Sequence, residues 1–456
     1  MEHTLYTGFA REDVTPEVYR TLAGNGNDFQ RKCNQILDRI TGTCIAMRDA
    51  EGTTMLFCTV DFLNAVKPTV VDGARRAIHE ATGVPEDHIS ISVTHTHAGP
   101  SIYNWEDQDT LDYFAHYRKQ MAKAAKEAIE DLKPSEIYVG QRMIPGMTFV
   151  RHYIGNDGTY FGPNFGSGKS GAKAHADVPD DQLQVLRFRR EGGRDIVLVN
   201  WQSHCTITNG TKDAKGRTVT ATWMSADYPA PMRDHVEGTL GCHCAFFQGA
   251  CGNLVPSSRI EGEALAPYEK YPYGRKLAEF VLECVNEDMR PVNAGPIRVI
   301  QHTFVGVVNH TEDHRVPDAE AARKGYYDIE EPADRAAQLK KYGFNSVLHA
   351  NSILNRSKSP ATIDMELMAI SMGDIAFATA PIEMFNSHGR HIKNNSPFQL
   401  TFMLAYSNGS HSYIPDEKAF QYDCYEKNTC LFLPGTGEEI AKTHVSLLEK
   451  LKNMEE

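Results

Sequence analysis

Residues 89–101 read ISISVTHTHAGPS. The apolar alternation through Ile89, Ile91 and Val93 is that of a strand. It runs out into His95 and His97, with one residue between them. On an extended strand residues i and i+2 share a face. The spacing therefore predicts both imidazoles on one side, able to meet one metal, or a metal and its substrate. Two hydrogen-bonded core histidines give the same short pattern, so its meaning depends on what other strand ends carry.

Strand and helix patterns alternate outward from this stretch. TCIAMRDAEGTTMLFCTVDFL (43–63) predicts a hairpin turning at Asp49–Gly52, and KPTVVDGARRAIHEATG (67–83) predicts a helix ending at Gly83. A long amphipathic helix is expected over 107–132, with Leu111, Phe114, Met121, Ala125 and Ile129 on or near one face. Hairpins follow at 182–204, through Gly192-Gly193, and at 363–381, through Gly373-Asp374. Strands are expected at 242–249, 297–308 and 400–406, and helices at 272–289, 317–342 and 437–452. This mixture predicts an α/β fold, a mixed sheet flanked by helices. The segment 155–181 is Gly-rich but lacks the GxxxxGK order of a phosphate loop; it reads as a surface loop or an active-site flap. Segments 155–181 and 311–345 are the candidates for closing over a pocket.

The chain of 456 residues is 41% hydrophobic and 23% charged, with a formal net charge of -12. That length alone is a prior for about three domains, yet no repeat or Pro/Ser-rich linker divides it. The acidic balance, without a basic stripe, argues against nucleic acid and against an anionic membrane surface. Its apolar runs are strand-length, too short to span a bilayer. MEHTLYTGFAREDVTPE carries no basic and apolar leader pattern, so a cytoplasmic location is expected. The ten cysteines are expected to be reduced and mostly buried; Cys242, Cys244 and Cys251 match no common zinc spacing and read as structural.

Three further strands end in polar groups. IVLVNWQSH runs out into His204, GDIAFATAPIE into Glu383, and LTFMLAYSNGSHSYIP into Asn408, His411 and Tyr413. Open sheets bind ligands beyond the carboxyl ends of their strands. Nitrogen and oxygen donors without thiolate suit zinc at a hydrolytic centre, with a position left for water.

Eight segments in order resemble the neutral ceramidase family: GFAREDVTP (8–16), VTHTHAGP (93–100), VRHY (150–153), NWQSHCT (200–206), MSADYP (224–229), AFFQGACGN (245–253), APIEMFNSHG (380–389) and YSNGSHSYIPDEKAFQYDCYE (406–426). The resemblance implies a single catalytic domain over 1–456, without the C-terminal immunoglobulin-like domain of the family. It implies one zinc ion per chain, held by His95, His204, Glu383 and Tyr413. His97, Arg151 and Tyr425 are implied to assist catalysis, Tyr425 lying 12 residues after Tyr413 as in the family. The implied reaction is hydrolysis of an amide (or ester) by zinc-bound hydroxide.

One departure bears on the substrate. The family carries a Ser in a G-D-x-S-P segment, and the matching stretch here is GNLVP, with Asn253 for Asp and Val255 for Ser; Ser257 and Ser258 follow. Ceramide, a lipid-like substrate, is the family's default. The alternatives are a small polar amide or ester at the same metal site, or a metal-containing binding protein without turnover. Asp13 and Asp61 read as structural, Asp227 as a ligand-orienting or helix-capping group, and His388, His391 and His411 as bystanders. The oligomeric state is left open.

Overall fold

The computed structural model describes residues 5–17, 20–24, 31–102, 108–161, 172–212, 218–220, 222–257, 259–260, 263–264, 270–422 and 424–454. The larger sheet uses β1 (Leu5–Asp13), β2 (Thr41–Asp49), β3 (Thr54–Val60), β4 (Ile89–Val93), β5 (Lys133–Met143), β6 (Gln182–Arg190), β7 (Ile196–Trp201) and β8 (His243–Gln248). Their spatial order is β8-β7-β6-β5-β1-β2-β3-β4, and Arg290–Val292 pairs with β5 off this path. A second sheet holds β9 (Ile297–Val307), β10 (Thr362–Met372), β11 (Ile375–Thr379) and β12 (Leu400–Leu404), in that order.

Period-2 alternation divides each strand between two cores. Ile45, Met47, Met55, Phe57, Leu186, Phe188, Leu198 and Phe247 of the larger sheet meet Met368, Ile370, Phe377 and Phe402 of the smaller one. The intervening residues face outward to helices. α1 (Asp72–Thr82) and α2 (Gln108–Glu130) cover one half of the larger sheet. α3 (Pro229–Leu240) and α4 (Lys270–Glu283) cover the other half. α5 (Asn386–Asn395) and α6 (Thr436–Asn453) cover the smaller sheet. The α/β expectation holds, with two sheets packed face to face inside the helical layers where one had been expected. Segment 317–342 forms short helices, Val316–Arg323 and Pro332–Lys341, which share a small core with the helix Val347–Arg356. Leu111 departs from its expected place: it is 49% exposed, and Tyr113, Phe114 and Tyr117 carry the buried face of α2.

Within these two sheets most strand pairs are antiparallel, and three are parallel: β3/β4, β7/β8 and β11/β12. Each parallel pair is joined through a helix, α1, α3 and α5 respectively. The antiparallel pairs β2/β3, β6/β7 and β10/β11 are linked by tight turns, where Gly52, Gly192 and Gly373 take positive φ. The three parallel units carry the polar strand ends that the sequence singled out.

Candidate metal centre

His95 leaves β4 at its carboxyl end. The strand stops at Val93, and His95 lies at φ 60°, a left-handed conformation rare for a residue with a Cβ. The two imidazoles are therefore brought together by a turn, and extended-strand spacing is not the cause. Thr96 then pairs in parallel with Cys205, and His97 N donates to Cys205 O at 2.9 Å. This short pairing sets the exits of β4 and β7 side by side, with His204 one residue before the joint.

Glu383 and Tyr413 follow β11 and β12. Glu383–Met384 pairs in parallel with Tyr413–Ile414, so Glu383 and Tyr413 are register partners. The β12 exit is stitched to β4: Ser92 and Ser407 share a hydroxyl hydrogen bond of 2.6 Å, and Ile91 N donates to Asn408 Oδ1 at 2.8 Å. Gly252, after β8, closes the ring. A Cβ there would lie 2.7 Å from Glu383 O and 2.9 Å from Met384 O, so only glycine allows this approach of backbones.

The imidazoles share one bonding pattern. Nδ1 of His95, His97 and His204 faces the carbonyl oxygens of Leu63, Gly24 and Leu254 at 2.7, 2.7 and 2.8 Å. A carbonyl only accepts, so each Nδ1 carries the proton and each Nε2 presents a lone pair. These lone pairs converge. His95 Nε2 is 3.3 Å from His97 Nε2 and 3.4 Å from Glu383 Oε2, while His204 Nε2 is 3.7 Å from Glu383 Oε2 and 3.4 Å from Tyr413 Oη. Glu383 Oε2 is buried without a hydrogen-bond donor among the described residues. Acceptors crowded in a dry site repel one another unless a cation lies among them, and His Nδ1–H on a backbone carbonyl is the usual arrangement behind a metal-bound Nε2. The donor set thus fits a metal ion such as zinc.

Electrostatics agree. Burial pushes the His204 imidazole down to about 4, keeping it neutral. Burial, with His95 and His204 beside it, places His97 well below its ordinary value. Burial opposes ionisation of Glu383, and only positive charge at the His95 and His204 positions holds its carboxyl below the usual range, a charge that a bound cation supplies when both rings are neutral. Burial and then Glu383 raise the Tyr413 phenol well above its ordinary value, so it stays protonated unless a cation adjoins it.

Arg151 and Tyr425 stand on the Tyr413 side. Arg151 Cζ is 5.6 Å from the centre of the Tyr413 ring and 5.7 Å from that of Tyr425. The two rings meet edge to face, 5.3 Å apart. Arg151 pairs with Glu426 at 2.6 Å, while Asp157, the nearest acid along the chain, accepts from Thr159. The structure therefore gathers all seven expected residues into one place: His95, His97, Arg151, His204, Glu383, Tyr413 and Tyr425.

Sequence reasoning gave no role to Tyr406, His152 and Glu426. Tyr406 stacks on His95 with ring centres 4.0 Å apart, and Glu426 joins Arg151 to His152. All three lie in quoted motifs, but nothing in a motif says what a side chain touches. Other polar residues fall away from the centre. Asp61 is buried against Arg233, Asp13 pairs with Arg39, and Asp227 accepts from Thr208 N and Tyr228 N. His388 lies under Gly437 and His391 contacts Asn395. Of the proposed flap, 162–171 lies outside the described residues; Tyr160–Phe161 and Ala172–His175 form short strands against Tyr153–Gly155. Ser258 also lies outside the described residues.

The mixed-sheet α/β fold that brings these strand ends together is shared by solved structures of ceramidases, which match the chain from end to end. Neutral ceramidase from Pseudomonas aeruginosa matches with a TM-score of 0.73 at 15% identity, covering 100% of this chain and 75% of its own. A ceramidase complexed with C2 matches with a TM-score of 0.70 at 16% identity, covering 99% of this chain and 76% of its own. No protein-family model and no curated protein matches. At such identity the likeness establishes the fold, and the chemistry rests on the geometry above. No helix among the described residues is long and apolar enough to cross a membrane.

Proposed function

We propose that the protein is a zinc-dependent amide hydrolase of the neutral ceramidase kind, with His95, His204, Glu383 and Tyr413 holding the metal. The observation that carries this reading is the convergence of bare imidazole Nε2 atoms on a buried carboxylate oxygen that has no donor among the described residues. When bound, zinc polarises a carbonyl and lowers the pKa of water.

The remaining groups divide by exposure. His97 is half-buried while His95 and His204 are buried, so His97 is the imidazole that faces substrate and moves a proton at Nε2. Arg151 stays charged, because Glu426 outweighs the cost of its burial. The Tyr425 hydroxyl, pushed up to about 12 by burial and then by Glu383, stays protonated at neutral pH. Arg151 and Tyr425 are thus two donors aimed where negative charge grows on the carbonyl oxygen. All ten cysteines are buried, as thiols kept in a reducing, cytoplasmic setting commonly are.

A lipid amide is the first substrate class, since both solved relatives are ceramidases by name. A small polar amide or ester is the second. Val255, in Leu254–Pro256 opposite Phe149, is buried and apolar and offers no hydroxyl to a carbonyl. Turnover of a fluorescent short-chain ceramide by the zinc-loaded protein separates the two. Hydrolysis that His95→Ala abolishes supports the lipid amide; inactivity on ceramide with turnover in a panel of polar acyl amides and esters supports the other. Inactivity on both, from protein carrying its metal, contradicts the hydrolase reading.

A further inference from the structure

Arg151 is held by a chain of buried groups leading away from the metal centre. Its Nε donates to Glu426 Oε1 at 2.6 Å and its Nη2 to Gly252 O at 3.0 Å. The other carboxylate oxygen, Oε2, lies 2.7 Å from His152 Nε2. On the far side of that ring, Nδ1 lies 2.7 Å from Tyr160 Oη. The side chains of Arg151, His152 and Glu426 are at most 2% exposed. A neutral His152 that donates from Nε2 to the carboxylate accepts at Nδ1 from the Tyr160 hydroxyl, and the four groups form one continuous line of hydrogen bonds.

Two features separate this line from an ordinary buried ion pair. Glu426 directly follows Tyr425, so one carboxylate fixes Arg151 by a salt bridge and Tyr425 through the backbone. Tyr160 comes from the segment that the sequence marks as a flap, and its ring stacks on Tyr422 with centres 3.8 Å apart. His152, Cys424 and Glu426 are close enough to hold a metal, but a cation among them would lie beside the Arg151 guanidinium, which already balances the carboxylate. Burial opposes the Glu426 charge, yet Arg151 and His152 bring its carboxyl down to about 2, so the anion persists.

We propose that Glu426, His152 and Tyr160 are positioning residues that hold Arg151 and Tyr425 in register with the carbonyl to be cleaved, and that Tyr160 links the flap segment to that register. This inference rests on the proposed roles of Arg151 and Tyr425. Its test is a double-mutant cycle in the zinc-loaded full chain, crossing Glu426→Gln with Arg151→Lys. One readout is kcat and KM on whichever amide the wild type cleaves. The other, independent of turnover, is calorimetric binding of butyrate, a product-like carboxylate.

Glu426→Gln is expected to keep its zinc and its KM while kcat falls about 100-fold, the size of losing one oxyanion donor. Butyrate binding is expected to weaken about tenfold. In the Arg151→Lys background the same change is expected to alter either readout by less than about twofold. Tyr160→Phe keeps the stacked ring and loses only the hydroxyl. It is expected to fold even where Glu426→Gln does not, and to lower kcat and butyrate affinity severalfold only when Arg151 is present. Equal losses in both backgrounds, no loss in Tyr160→Phe, or no butyrate binding by the wild type overturns the proposal. A wild type that binds butyrate but cleaves no amide removes the hydrolase reading alone, and the butyrate cycle still decides this one.

Discussion

His95, Asp227, Tyr406, Asn408 and Ser412 are the non-glycine residues at positive φ among those described, and four of the five lie at the exits of β4 and β12. Left-handed conformations cost free energy at residues with a Cβ and persist where surrounding structure enforces them. Here they aim His95 at the centre and Tyr406 under it. Two substitutions test the centre residue by residue. Glu383→Gln removes the buried anion that the imidazoles face. It is expected to lower zinc affinity by at least the ~100-fold that marks the upper range for outer-shell partners, read by competition with a chromogenic chelator. Gly252→Ala adds one methyl against two carbonyl oxygens. The protein is expected to fold and to lose most of its bound zinc, because Glu383 and Met384 must retreat; full zinc occupancy in that variant contradicts the close-approach argument.

At the level of elements, α3 is anchored by charge. Arg233 makes two hydrogen bonds to Asp61, at 3.0 and 2.9 Å, and Asp61 also accepts from Thr41 N and Oγ1. Both charges are buried, so Asp61→Ala leaves an uncompensated guanidinium. The expected loss is about 3–5 kcal/mol of unfolding free energy, measured by urea denaturation. α6 carries a different liability. His444 is fully buried there, and burial, then the charge of His302, pushes its imidazole down to about 4. Between that value and its ordinary 6.5 the unfolded chain binds more protons at this site than the folded one does. Stability at this site is complete above about pH 6.5 and falls with pH, by about 3 kcal/mol in all by pH 4. His444→Gln is expected to flatten this part of the pH dependence of unfolding; an unchanged slope contradicts the assignment.

The hairpins were readable because turn chemistry is local: Gly52, Gly192 and Gly373 occupy the turns that their neighbours suggest. The exposed Leu111 was misread because two apolar faces of α2 compete in sequence, and only contact with β1 and β2 decides between them. The strand-end residues of the centre were readable, since polar groups after an apolar strand stand out. The turn at His95 was not, because nothing local to THTH specifies φ. Nor was the link from Glu426 to His152, since a buried ion pair leaves no periodic mark.

For the molecule as a whole, the division into two sheets is what alternation alone does not reveal. Inner residues such as Phe57 and outer ones such as Leu56 are equally apolar, and either face reads as core. What the fold achieves is convergence. Three parallel units, two at opposite ends of the larger sheet and one in the smaller, direct their carboxyl ends to one point. They deliver His95 and His97, then His204 and Gly252, then Glu383 and Tyr413. The central claim is that this point is built for one divalent metal ion. Equilibrium dialysis of the full chain against zinc, with Glu383→Gln and His95→Ala beside it, tests that most directly. The account predicts one tightly held zinc per wild-type chain and little in either variant. Folded wild-type protein that retains no zinc, or variants that retain as much as the wild type, would contradict it.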